Sequence, residues 1–169
     1  MKRAILFIKC WSSHYVMVTA EDVVKAQQAW GDGIVAIATA HSSGMEYIEI
    51  ARNHIETLYA YEIGPVLFKP TMAVNEQFRS TFEGALSYFV ASNGECPEDK
   101  GFAIKNWKKV RFENDGIIIN GETAIAMGNY FFTSSDNHEL KVEFSFGYIV
   151  DSTGALRINL HHSSMPARF

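Results

Sequence analysis

The period of the apolar residues changes once along this chain, and that change limits what it can fold into. Up to Val90 apolar side chains recur every three or four positions, as on amphipathic helices. From Gly101 to Ser164 they alternate, as on half-buried strands. Helices first and antiparallel strands after is an α+β order. At 169 residues, 47% hydrophobic and 13% aromatic, the chain suits one domain with a substantial core.

The helical part divides at its breakers. A first helix begins at Thr19 or Glu21 to Asp22 and carries Val23, Val24, Ala26, Gln27, Trp30, Ile34 and Ile37. Gly31 and Gly33 leave room there for close approach of a neighbour. Ser42-Ser43-Gly44 ends it. Met45 to Tyr61 gives a second helix, stopped by Gly64-Pro65. Val66 to Ala73 is short and extended, and Pro70 confines it to a sheet edge. Arg79 to Val90 returns to helical spacing. In the sheet half, Asp115-Gly116 predicts a hairpin between Phe102–Phe112 and Ile117–Asn120. Longer strands follow at Thr123–Ser134 and Leu140–Asp151. Three helices on one face of a strongly bent, mainly antiparallel sheet would form an open cone.

The last strand ends unusually. Leu156, Ile158 and Leu160 alternate with Arg157 and Asn159, and then come His161, His162, Ser163 and Ser164. Such a switch to imidazole and hydroxyl marks a strand leaving packed core for a polar pocket, where these groups can exchange hydrogen bonds and protons.

Charge and cysteine content exclude other classes. A net charge of -4 argues against a nucleic-acid surface. The one compact basic run, Lys108, Lys109 and Arg111, reads as the solvated face of a strand. Cys10 and Cys96 form no disulfide framework. No stretch reaches the roughly 20 apolar residues of a membrane span. Residues 1–20, with Lys2 and Arg3 before a short apolar run, read as a leader or disordered extension, with Met17 as an alternative start. A cleaved leader would place the protein in the periplasm or outside the cell; otherwise the cytoplasm is expected. Residues 21–169 form the single domain.

Several blocks together resemble a known family. Leu67-Phe68-Lys69-Pro70-Thr71, Phe78-Arg79, Glu83 to Phe89, Glu98 to Phe102, Val110 to Asn114, Ala126 to Thr133 and the closing His-His-Ser-Ser are similar to the iota-class carbonic anhydrases. That family is related to the association domain of calmodulin-dependent kinases and to NTF2-like and SnoaL-like folds. The resemblance covers roughly residues 21 to 166. It implies the NTF2-like cone, a homodimer through the sheet, and reversible hydration of carbon dioxide to bicarbonate. Some members are described as metal-independent and others have been linked to manganese or zinc, so no cofactor is expected, with those two metals as the alternative.

The resemblance also implies a threonine, a tyrosine, a histidine and a serine in the pocket. By motif these fall on Thr71, Tyr88, one of His161 or His162, and one of Ser163 or Ser164. Strand parity favours His162 and Ser164 if Leu156, Ile158 and Leu160 face the helices; a bulge near the strand end would select His161 and Ser163. The expected roles are histidine as base, Tyr88 as donor to an oxyanion, and the hydroxyls as water-orienting relays. Two rival readings are a ketosteroid-isomerase-like enzyme with Glu143, Glu122 or Asp151 facing the pocket as a carboxylate base, and a non-enzymatic association module.

Overall fold

The structure, a computed structural model, describes residues 17–167. Helix α1 (Ala20–Ser42) is capped by Thr19, whose hydroxyl accepts the Asp22 N–H while the Asp22 carboxylate accepts the Thr19 N–H. Val18 is buried and donates its N–H to Gly121. Val18, Thr19 and Ala20 are therefore packed against or part of the folded elements. The rest of the leader expectation falls on residues 1–16, outside the described residues.

Gly31 and Gly33 are close-approach positions, as their spacing suggested. A Cβ on Gly31 would lie 3.1 Å from Val110 Cβ on the sheet, and one on Gly33 would run into the His54 ring on α2 (Tyr47–Leu58). Helix α2 stops at Leu58, short of the expected Tyr61. Tyr59 is already extended and bridges Ile158 in parallel, with Ala60 N–H bonded to the Ile158 carbonyl. Pairing with the sheet outcompetes the last helical turn.

Strand β1 (Leu67–Lys69) lies at the sheet edge, ended by Pro70. Helix α3 (Phe82–Val90) begins three residues later than expected, because the Thr81 hydroxyl accepts the Gly84 N–H and makes Thr81 the cap. Upstream, Arg79 is fully buried; its guanidinium bonds Asp99 at 2.8 Å and its N–H bonds the Phe68 carbonyl.

The sheet runs β1-β5-β4-β3-β2, through β2 (Trp107–Asn120), β3 (Thr123–Ser134), β4 (Glu139–Val150) and β5 (Leu156–Ser164). Among the strands of the described residues only β1 and β5 pair in parallel. The Asp115-Gly116 hairpin is not formed. β2 passes straight through that point, and Asp115 is an extra residue opposite Gly128. The hairpin lies at Asn120–Thr123, where Gly121 supplies the positive φ (60°) that a two-residue turn requires. Gly128 permits the bulge: a Cβ there would sit 2.9 Å from Asn114 Cα and overlap the Glu113 carbonyl.

The core lies between the helices and the inner sheet face. Trp30 is at its centre, with edge or tilted contacts to Phe89, Phe112, Tyr130, Phe132 and Phe146 at centroid distances of 5.7–6.3 Å. Truncating a ring in such a setting costs about 3–5 kcal/mol. Trp107, Phe132, Phe144, Phe146 and Tyr148 are core, whereas Phe131 lies outside beneath the Arg111 guanidinium at 4.0 Å. Lys108 and Lys109 are exposed, as expected of a solvated strand face. Among the described residues no helix is long and apolar enough to cross a membrane.

Candidate active site

The end of β5 is where the sheet's inner face changes from hydrocarbon to polar groups. Ile158 pairs with Tyr148 and Leu160 with Gly147, so Asn159 is an unpaired extra residue. This bulge reverses the strand's parity. Ile158 faces inward, and beyond the bulge His161 and Ser163 do, each no more than 3% exposed. The parity expectation of His162 and Ser164 is therefore corrected: His162 is exposed, and Ser164 donates outward to Glu143 at 2.9 Å. Gly147 makes the bulge possible, since a Cβ there would lie 2.9 Å from both Asn159 Oδ1 and Leu160 Cβ. Glycines inside otherwise regular strands, at 128 and 147, were the available signal of both bulges.

His161 is enclosed by rings. Phe68 stacks on it at 4.5 Å and 12°, and Phe146 meets it edge-on at 4.2 Å. Tyr59 Oη is 2.8 Å from Nδ1, and Trp30 Nε1 donates to Tyr59 Oη at 3.0 Å. Tyr130 Oη is 3.4 Å from Nε2. Burial holds the imidazole well below its ordinary pKa of 6.5, with His162 and His54 adding smaller effects in the same direction. His161 is thus neutral at pH 7.

Thr71 lies in the turn after β1, carried there by the parallel β1–β5 pairing. Its Oγ1 is 2.9 Å from Ser163 Oγ. Tyr88, 5% exposed on α3, packs edge-on against Phe68. Burial raises its phenol far above the ordinary range, while the Met72 backbone and Thr71 hydroxyl pull slightly the other way. Tyr130 is likewise pushed up by burial and pulled back by Ser163 and Thr71. Both phenols are donors at neutral pH. Tyr88 also lines a cavity of about 240 Å³ with Met72, Glu98, Asp99, Phe102 and Lys105.

Four of the six expected side chains, Thr71, Tyr88, His161 and Ser163, lie together in one cluster around Phe68 and Tyr130, and His162 and Ser164 lie outside it. Tyr59, Tyr130 and Trp30 were not expected to take part; only the fold brings the two phenols to the histidine and the indole N–H to Tyr59. The carboxylate alternative is corrected: Glu143 and Glu122 are exposed, and Asp151 is engaged with Arg157 at 2.6 Å. Among the described residues no three His, Cys, Asp or Glu side chains are grouped to hold a metal ion.

Residues 21–165 match the family described as metal-independent carbonic anhydrase. The chain belongs to that family. It is 43% identical over 152 residues to a metal-independent carbonic anhydrase from Nostoc sp., covering 88% of this chain and 74% of the relative. It also resembles the crystal structure of an iota-carbonic anhydrase from a cyanobacterium in complex with bicarbonate, with a TM-score of 0.89, 38% identity and full coverage of both chains. An NTF2-like protein from Streptomyces avermitilis shares the fold at a TM-score of 0.56 and 12% identity, over 88% of this chain and 96% of the other. The chain is thus a carbonic anhydrase of NTF2-like architecture, in a family that works without metal.

Proposed function

We propose that this carbonic anhydrase interconverts carbon dioxide and bicarbonate at the polar cluster of Thr71, Tyr88, Tyr130, His161 and Ser163. The observation that carries the reading is the 2.9 Å approach of Thr71 Oγ1 to Ser163 Oγ beside two buried phenols. Hydration forms one C–O bond, opens one C=O bond to an oxyanion, and takes a proton from water. A hydroxyl both donates and accepts, so Thr71 and Ser163 can hold the attacking water and pass its proton on. Tyr88 and Tyr130, kept protonated by burial, donate to the developing oxyanion. The water proton passes over a hydroxyl to a carbon dioxide oxygen. The product, carbonic acid, ionises to bicarbonate and a proton on reaching water. No strong base is required, which suits an imidazole whose protonation burial opposes.

The test is stopped-flow hydration by chelator-treated protein, with Thr71→Val, Tyr88→Phe, His161→Ala and Ser163→Ala beside the outward His162→Ala and Ser164→Ala. Large losses confined to the first four are expected. Full activity in all four would overturn the site.

The chain is further proposed to form a homodimer through the outer face of its sheet. Ile118, Ile125 and Met127 are exposed there, and Ile118 and Ile125 face each other across β2 and β3. Sedimentation of the wild type and Ile125→Asp tests this: a wild-type monomer would remove the proposal.

A further inference from the structure

The hydrogen bonds around His161 have a direction. Tyr59 Oη accepts from Trp30 Nε1–H at 3.0 Å, and it has one proton of its own to place. Tyr59 is 2% exposed, so water does not take that proton, and among the described residues the acceptor within reach is His161 Nδ1 at 2.8 Å. The opposite tautomer, with the proton on Nδ1, would aim a third hydrogen at Tyr59 Oη and leave the phenolic O–H buried without an acceptor. An unpaired buried donor is strongly disfavoured. With Nδ1 occupied as acceptor, a neutral imidazole carries its proton on Nε2. That nitrogen faces Tyr130 Oη at 3.4 Å, on the side where Thr71 and Ser163 act on Tyr130.

We propose that Tyr59, itself held by Trp30, is a positioning residue that locks His161 as the neutral Nε2–H tautomer, so that His161 serves hydration as a hydrogen-bond donor rather than as the base. This rests on the site proposed above. Donation runs one way, from Trp30 to Tyr59 to His161, and His161 presents its single N–H to the hydroxyl cluster. Phe68, stacked at 4.5 Å, and Phe146, edge-on at 4.2 Å, hold the ring so that it cannot exchange its two nitrogens. Tyr59 reaches this position because α2 gives way to a bridge with Ile158, three residues before His161 on β5.

The decisive measurement is ¹⁵N NMR of histidine-labelled protein at pH 7, with His161 assigned by loss of its signals in His161→Gln. A protonated Nε2 with a hydrogen-bonded, unprotonated Nδ1 is expected. A protonated Nδ1, or an imidazolium, would overturn the proposal from the wild type alone, whether or not any variant folds. In Tyr59→Phe the fixed tautomer should be lost and kcat should fall roughly 10- to 100-fold with KM little changed, the usual consequence of removing a group that orients a functional histidine. An unchanged tautomer and kcat would overturn it. His161→Gln, whose amide N–H can still donate, should retain more activity than His161→Ala; equal losses would refute the donor role. Full activity in His161→Ala would instead defeat the site reading, and the wild-type nitrogen signals would tell the two failures apart.

Discussion

Thr71 Oγ1 lies 2.9 Å from Ser163 Oγ, joining the turn after the edge strand to the end of the strand beside it. The two hydroxyls are 92 residues apart in sequence and hydrogen-bonded to each other, and in the proposed site they act as one unit. Thr71→Val and Ser163→Ala should each lower kcat by roughly 100-fold, the scale of losing one aligned donor. The double variant should be little worse than either single one, since groups working as a unit are not additive. Stopped-flow kinetics on all three proteins checks this.

The pH response follows from the two buried histidines. Burial lowers His161 well below 6.5 and His54 to about 4. A depressed histidine opposes protonation of the folded state, whereas the unfolded chain takes the proton near pH 6.5. Stability is therefore fully present above about pH 6.5 and falls as pH drops toward the folded values. For His54 alone the loss between pH 6.5 and pH 4 is about 3 kcal/mol. Urea titrations should show this acid limb, and His54→Leu should flatten it. Over pH 6 to 8 kcat should show no step from His161, whose hydrogen-bonding neighbours, Tyr59 and Tyr130, are held protonated by burial.

Arg79 and Asp99 form an ion pair whose side chains are 0% and 4% exposed, and Asp99 lines the same cavity as Tyr88. Arg79→Met leaves the carboxylate buried without its partner and should cost about 3–5 kcal/mol. Chemical denaturation measures the loss, which should change little with added salt because the pair is shielded from solvent.

Glycine substitutions separate crowded from open positions. Gly147→Ala forces a Cβ to 2.9 Å from Leu160 Cβ and should cost about 1–3 kcal/mol. It should also lower activity, because the bulge it faces aims His161 and Ser163. Gly116→Ala, with nothing within 4 Å of the added carbon, should leave both unchanged. Thermal melts and hydration rates of the two variants make the comparison.

The helices and strands were legible because each needs only a local period. Two of the mistaken boundaries share one cause, competition from a distant partner. Tyr59 is drawn from α2 to Ile158, and Asp115-Gly116 forms a bulge in the face of Gly128 rather than a turn. Thr71 and Tyr88 entered through family likeness rather than through any local pattern, and Tyr59 and Trp30 looked like ordinary packing residues.

By itself the sequence determined an α+β chain with a polar end to its last strand, since periodicity and residue type are local properties. Which histidine and which serine face inward was decided by tertiary structure alone. A single unpaired residue, Asn159, tolerated because Gly147 has no side chain, shifts every later side chain to the opposite face. The state of that histidine was decided in the same way. A tyrosine 102 residues away, and the tryptophan behind it, lie against one ring nitrogen and, in the proposed tautomer, fix it as the acceptor.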